Sequence, residues 1–185
     1  MVWRRLANVL VIRRDRTERL TAEDLDAVRR LLDAAFHGEF TDEDWHHTLG
    51  GMHVRGFVDG HMVAHASVVH RTLWCGERAY RTGYVEGVAV DPGHRRRGYG
   101  TWVMREVERI IAERYELGAL STTDEAQRLY VGLGWQTWLG PSYVQTPGGA
   151  REATPDDDGA IMVLPTAEVD LTEPITCDWR EGDVW

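Results

Sequence analysis

The stretch YVEGVAVDPGHRRRGYGTWVMREVERI, residues 84–110, decides how this chain folds. Its first seven residues are rich enough in β-branched and aromatic types for a buried strand. Asp91-Pro92 ends that strand, because proline lacks the N–H a ladder needs. From Tyr99 onward Val103, Val107, Ile110 and Ile111 recur at helical spacing. Arg95, Arg96, Arg97, Gly98, Tyr99, Gly100 and Thr101 therefore lie between a strand and a helix N-terminus. There the first backbone N–H groups have no intrahelical acceptor and the helix dipole is positive, which suits an anion. Glycines at 98 and 100 let the backbone approach closely, and arginines add charge-assisted hydrogen bonds. The predicted ligand is a pyrophosphate. Neither G-x-x-x-x-G-K-[ST] nor G-x-G-x-x-G is present. The competing reading is a solvated turn with three exposed arginines.

Outward from this stretch the pattern alternates. Val9 to Ile12 reads as a first strand. In TAEDLDAVRRLLDAAF, Leu25, Val28, Leu32 and Ala35 share a helical face, with Thr21 as N-cap and Asp24 in the capping-box position. FTDEDWHHTLGGMH suggests a short acidic helix stopped by Gly50-Gly51. Residues 52–58, 62–73 and 80–90 read as strands separated by Asp59-Gly60 and Gly76-Glu77 turns. After the 98–115 helix come a buried strand, LGALSTT, and a short helix, DEAQRLYVGLGW, ended by Gly134. Further strand is expected at 135–138 and 161–164, with a Pro/Gly-rich loop between them. The sum is one mixed α/β (α+β) domain spanning residues 1–185: antiparallel hairpins, then a strand–loop–helix–strand crossover. Trp102 and Trp135 read as structural.

The charge balance narrows the partners. Thirty acids face 21 bases, a net charge of −9, and every base is arginine. Nucleic acid is excluded as the main partner, because phosphate neutralisation needs a broad basic face. A cationic ligand fits better. Residues 156–185 carry nine acids against Arg180 alone. That tail ends CDWREGDVW, and Trp179 and Trp185 are costly to leave in water, so it reads as packed rather than solvated. Cys75 and Cys177 make neither a disulfide framework nor a zinc knuckle. His46 and His47 are adjacent and H-E-x-x-H is missing, so no metal is expected. The apolar run from Leu6 to Ile12 is interrupted by Asn8, runs into Arg13-Arg14 and lacks a cleavage site. No apolar run is long enough to span a membrane. A cytoplasmic protein is expected.

Arg95-x-x-Gly98-x-Gly100 at a strand-to-helix junction, with VEGVAVDPGHRRRGYG around it and AQRLYVGLGW after it, resembles the GNAT N-acetyltransferase superfamily. The resemblance implies the GNAT fold, a mixed, mostly antiparallel central sheet flanked by helices, with acetyl-CoA as co-substrate. The loop would hold the pyrophosphate. Val88, Ala89 and Val90 would lie along the pantetheine arm, with the Val88 N–H facing the thioester oxygen. Tyr130 matches the superfamily's general-acid tyrosine; the alternative is a core tyrosine.

GEFTDEDWHHTLGGMH, TPDDDG and CDWREGDVW, with GYVEGVAV, further resemble the aminoglycoside 2'-N-acetyltransferases. The likeness runs from the first helix to the last residue. The first twenty residues and the 146–154 loop carry little of it. It implies a polycationic aminoglycoside bound by Glu39, Asp44, Glu86, Gly87, Ser121, Asp156, Asp183 and the Trp185 carboxylate, and a homodimer for which the sequence has no interface signal. The alternatives are surface acids at Glu39 and Asp44 and a loop N-cap at Asp156. Glu86 is the candidate base, acting through water, with the Trp185 carboxylate as competitor. Strict alternation puts Glu86 on the face of Val88 and Val90, unless Gly87 introduces a bulge. Two other functions stay open: acetylation of another polyamine or amino-sugar metabolite, and a non-catalytic CoA-binding module.

Overall fold

The computed structural model describes residues 9–166 and 168–185. Strand β1 spans Val11–Arg16, later than the expected 9–12. Apolar burial helps set it only through Leu10 and Ile12, which pack on the core, since Val9 is 71% exposed and Val11 50%. Antiparallel pairing with β2 (Met52–Val58) fixes it, from Val11 opposite Phe57 to Arg16 opposite Met52. Asp15 adds an ion pair of 2.7 Å to buried Arg55 of β2. The start of the apolar run from Leu6 to Ile12, residues 6–8, lies outside the described residues.

Helix α1 (Ala22–Ala35) begins at the predicted cap: Thr21 Oγ1 accepts from the Asp24 N–H at 3.1 Å, and the Asp24 carboxylate accepts the Thr21 N–H at 3.2 Å. Such a cap contributes about 1 kcal/mol. Its buried residues are Val28, Leu31 and Leu32, while Leu25 and Ala35 are half-buried. Helix α2 (Asp42–His47) repeats the box with Thr41 and Asp44.

The predicted hairpins follow as β3 (His61–Cys75) and β4 (Arg78–Val90), then α3 (Tyr99–Arg114), β5 (Leu117–Ser121) and α4 (Asp124–Val131). The rest is β6 (Gln136–Thr137), β7 (Ser142–Gln145), β8 (Arg151–Ala153), β9 (Ile161–Pro165) and β10 (Ile175–Asp178). The described strands form one ten-stranded sheet, with β6-β9-β5-β4-β3-β10-β7-β8 in sequence and β2 joining β1 to β3. The long β3 makes this possible. Along one edge it pairs β4; along the other it takes β2 near its start and β10 near its end. The expected loop after residue 138 thus contains a hairpin, and the acidic tail contributes a strand.

Val103, Val107, Ile110 and Ile111 of α3 are buried against Val54, Val68 and Val85. Truncating any of these to alanine typically costs about 2–5 kcal/mol for an isoleucine. A second cluster, with Leu73, Tyr84, Trp138, Cys177 and Trp185, lies apart from α3, and α1 packs around Leu32, Phe40 and Ala89. Trp135 is buried as expected, but Trp102 is 55% exposed. It precedes buried Val103 by one residue, and a helix turns it about 100° away. Trp185 is buried whereas Trp179 is half-exposed.

Two irregularities in β4 position the site. Its parallel pairing with β5 ends at Tyr84 opposite Ala119, so the two strands diverge beyond that point. Next, Ser67 faces Glu86 and His65 faces Ala89, leaving Gly87 and Val88 to share the position opposite Ala66. This is a β-bulge, and Gly87 adopts φ +56° to make it. A Cβ there would come within 2.9 Å of Thr48 Cγ2. The bulge reverses the expected alternation. Val88 and Val90 join Val85 in the α3-facing cluster, whereas Glu86 projects to the opposite face beside Arg180.

Candidate active site

Where β4 and β5 part, a cleft of about 420 Å³ opens. Val85, Glu86, Gly87 and Val88 form one wall, and Leu120, Ser121, Thr122 and Thr123 the other. The α1–α2 connector supplies Phe36, Glu39 and Phe40; α2 supplies Asp44 and His47; α4 supplies Ala126 and Tyr130. The chain's last segment closes it with Arg180, Asp183 and Trp185. That segment is anchored rather than solvated. Arg71 of β3 donates to the Asp178 carboxylate at 2.8 Å, and Trp185 Nε1 donates to Thr154 Oγ1 at 2.9 Å.

The arginine loop occupies the neighbouring junction. Gly98 caps α3 at φ +81°, Arg96 sits at φ +60°, and α3 has neither a side-chain cap nor an acid in its first turn. Both α1 and α2 cap themselves with a threonine and an aspartate. Helix α4 also lacks a side-chain cap, but Asp124 and Glu125 fill its first turn; the α3 start has neither cap nor acid, which is complementary to a multiply charged anion. Arg95, Arg96 and Arg97 are exposed around it. Arg95 also donates to the Ala35 carbonyl at the end of α1 at 2.8 Å. Tyr99 and Ala89 bury their side chains, so they offer this junction backbone only.

The sequence profile described as the Acetyltransferase (GNAT) family matches residues 15–135. The chain belongs to the GNAT acetyltransferase family. It is 45% identical over 174 residues to a protein named aminoglycoside 2'-N-acetyltransferase from Mycolicibacterium fortuitum, covering 91% of this chain and 89% of that one. Among solved structures, the GNAT N-acetyltransferase YhbS of Escherichia coli in complex with CoA superposes with a TM-score of 0.65 at 15% identity, over 91% of this chain and 89% of the other. A GNAT acetyltransferase from Brucella melitensis in complex with acetyl-CoA gives 0.59 at 13% identity, over 91% and 95%. At such identities these structures establish the fold alone.

Against this GNAT framework the sequence-named residues divide. Glu39, Asp44, Glu86, Gly87, Val88, Ser121, Tyr130, Asp183 and Trp185 line the one cleft. Asp156 does not; it lies exposed in the first turn of a 3-10 helix. Its neighbour Asp157 is half-buried, and burial with the nearby Asp183 charge raises its carboxyl pKa. Asp44 has a second use, since its carboxylate accepts the Thr41 N–H at 2.9 Å. Among the described residues no group of three or more His, Cys, Asp or Glu side chains is gathered for a metal.

Arg180 is the residue sequence reasoning missed. As the single base among nine tail acids it was the available signal. Its Nη1 pairs with Glu86, its Nη2 donates to the main-chain oxygen of Trp185 at 2.6 Å, and its Nε to the Asp183 carbonyl at 2.7 Å. Burial pushes the Glu86 pKa above the ordinary carboxylate value, while Arg180 and, more weakly, Arg71 pull against it. Burial raises the Tyr130 phenol to about 12, so it is a protonated hydroxyl at neutral pH. A carboxylate shifted toward neutrality and a protonated phenol facing one cleft are chemically able to exchange protons with a bound molecule.

Proposed function

We propose that the protein transfers the acetyl group of acetyl-CoA to the 2'-amine of aminoglycoside antibiotics, and so confers resistance to them. The observation that carries this reading is the cleft where β4 leaves β5. Glu39, Asp44, Glu86 and Asp183 line it, and it adjoins an uncapped helix start flanked by arginines. A polyamino sugar presents several ammonium groups, and carboxylates bind these by charge-assisted hydrogen bonds. Phe36, Phe40 and Trp185 add apolar surface for sugar faces. The Mycolicibacterium fortuitum relative, named for this activity, supports it.

In this reading the free N–H groups at Tyr99, Gly100 and Thr101 hold the CoA pyrophosphate, with Arg95, Arg96 and Arg97 around it. Val88, Ala89 and Val90 offer backbone groups along the unpaired edge of β4 to the pantetheine arm. Carboxylates fix the sugar so that its amine meets the thioester carbonyl directly. Such positioning supplies up to roughly 7–11 kcal/mol in favourable cases. Glu86, through a water molecule, takes the proton the attacking nitrogen loses. The Val88 N–H receives the oxyanion, a donor whose removal elsewhere costs about 10²–10³ in rate. Tyr130 protonates the departing CoA sulfur. The cytoplasmic location expected from the sequence and the homodimer implied by the family likeness go with this reading.

Thiol release from acetyl-CoA, compared for tobramycin (2'-amine) and kanamycin A (2'-hydroxyl), tests it. Turnover with tobramycin alone is expected. Equal turnover of both defeats the regiochemistry, and turnover of neither defeats the substrate class.

A further inference from the structure

Two fully buried histidines lie behind the β4 bulge, and the chemistry above does not use them. His53 of β2 and His65 of β3 both have 0% exposure. Their rings are joined edge to edge: His53 Nδ1 is 2.9 Å from His65 Nε2. His65 Nδ1 lies 2.8 Å from the Gly87 carbonyl oxygen. At the other end His53 Nε2 is 3.0 Å from Thr17 Oγ1, itself held by the Gly50 N–H at 2.9 Å.

Counting protons fixes the direction of the chain. A carbonyl oxygen only accepts, so His65 Nδ1 must carry hydrogen. In a neutral ring Nε2 is then a lone pair, and His53 Nδ1–H must donate to it. His53 Nε2 is left as acceptor, and the Thr17 hydroxyl donates to it. One pair of neutral tautomers satisfies every contact of the two rings, with the Thr17 hydrogen on His53 Nε2 at 3.0 Å rather than on the Gly51 carbonyl at 3.3 Å. Burial, aided by the Arg55 charge, lowers His53 to about 4. Burial, aided chiefly by the His53 charge, lowers His65 to about 3. Both rings are therefore neutral across the working range.

The chain ends on an informative atom. The Gly87 carbonyl and the Val88 N–H belong to one peptide unit, planar and trans, so they point in opposite directions. Gripping the oxygen from behind aims the N–H forward, and a hydrogen bond accepted by the oxygen polarises the N–H as a donor. Gly87 needs such a hold, because its bulge conformation at φ +56° lies off the regular ladder.

We propose that His65, braced by His53 and Thr17, is a positioning residue that orients the Gly87–Val88 peptide so that the Val88 N–H faces the thioester oxygen. This rests on the acetyl-transfer reading, and the test separates the two. Asparagine at 65 places an amide donor where Nδ1 stands; glutamine places it where Nε2 stands. His65→Gln is expected to lower kcat with tobramycin roughly ten- to hundred-fold, since ångström-scale misplacement has that cost, and to leave the acetyl-CoA Kd within about two-fold. His65→Asn is expected to recover most of kcat. Equal kcat for Gln, Asn and wild type, or equal loss in both variants with native circular dichroism, overturns the proposal. The wild-type enzyme gives a measurement independent of turnover and of variant folding. Nitrogen-15 NMR of labelled histidine must show Nδ1–H on both buried rings, and an Nε2–H tautomer at His65 overturns the proposal. If wild type shows these tautomers and acetylates nothing, the substrate assignment fails while the positioning of the peptide stands.

Discussion

The cleft and the junction beside it are built from different materials. The donor side is backbone: a helix start without a cap, a glycine at φ +81°, and an unpaired length of β4. It comes from one contiguous stretch. The acceptor side is side chains, drawn from the α1–α2 connector, α2, β4, β5, α4 and the final segment. The donor side resembles a socket cut once for a constant group. The acceptor side is a set of charges assembled across the fold, and each of them can change without disturbing the socket.

The largest expected effect strikes the acceptor side. Glu86→Gln should lower kcat about 10³-fold, within the range for a positioned acid or base, with acetyl-CoA affinity by calorimetry unchanged. A parallel loss of acetyl-CoA binding would show that the two sides are one. The same residue sets the pH profile. A base works deprotonated, so activity falls as pH drops through its pKa, and burial holds that limb above the ordinary carboxylate range. The titratable groups facing Glu86 are Arg180, Arg71 and Asp183, with Glu39, Asp44 and His47 across the cleft. Because Arg180 opposes the rise, Arg180→Gln should move the acid limb of kcat/KM further up. A limb that stays put removes Glu86 as the base.

Next in size is a change confined to the donor side. A β-branched side chain at φ +81° costs about 1–2 kcal/mol, so Gly98→Val should weaken acetyl-CoA about ten-fold, read by calorimetry, and leave aminoglycoside affinity alone. Asp183→Asn should do the reverse, raising the aminoglycoside KM about ten-fold through one lost charge-assisted contact. The smallest effect belongs to Asp156→Asn. Exposed and outside the cleft, it should shift that KM less than about two-fold. A larger shift would extend the acceptor surface along the 155–157 turn.

The same contrast explains what was legible beforehand. A site made of backbone leaves a local mark, because only certain residues permit its geometry. Arg95 to Gly100 and the α3 stripe were therefore readable, as was the Thr21–Asp24 cap. A site made of side chains leaves no spacing to find, and Glu39, Asp44, Ser121 and Asp183 came from family likeness rather than from pattern. Three things were beyond a linear reading. β10 is four residues long and is specified by its slot beside β3 and by the Arg71–Asp178 pair. Arg180 reads as a surface base until the fold carries it to Glu86. The bulge at Gly87 reverses which side chains share a face, a change that alternation cannot foresee.

The early parting of β4 from β5 has a mechanical consequence. A bare strand edge ordinarily solicits another strand, and proteins guard against that at their periphery. Here the bare edge is internal to the sheet, between β4 and β5, with α1 and α3 packed against β4 in separate clusters. In the acetyl-transfer reading proposed above, that edge is left for a thin, extended molecule whose own amides complete the ladder.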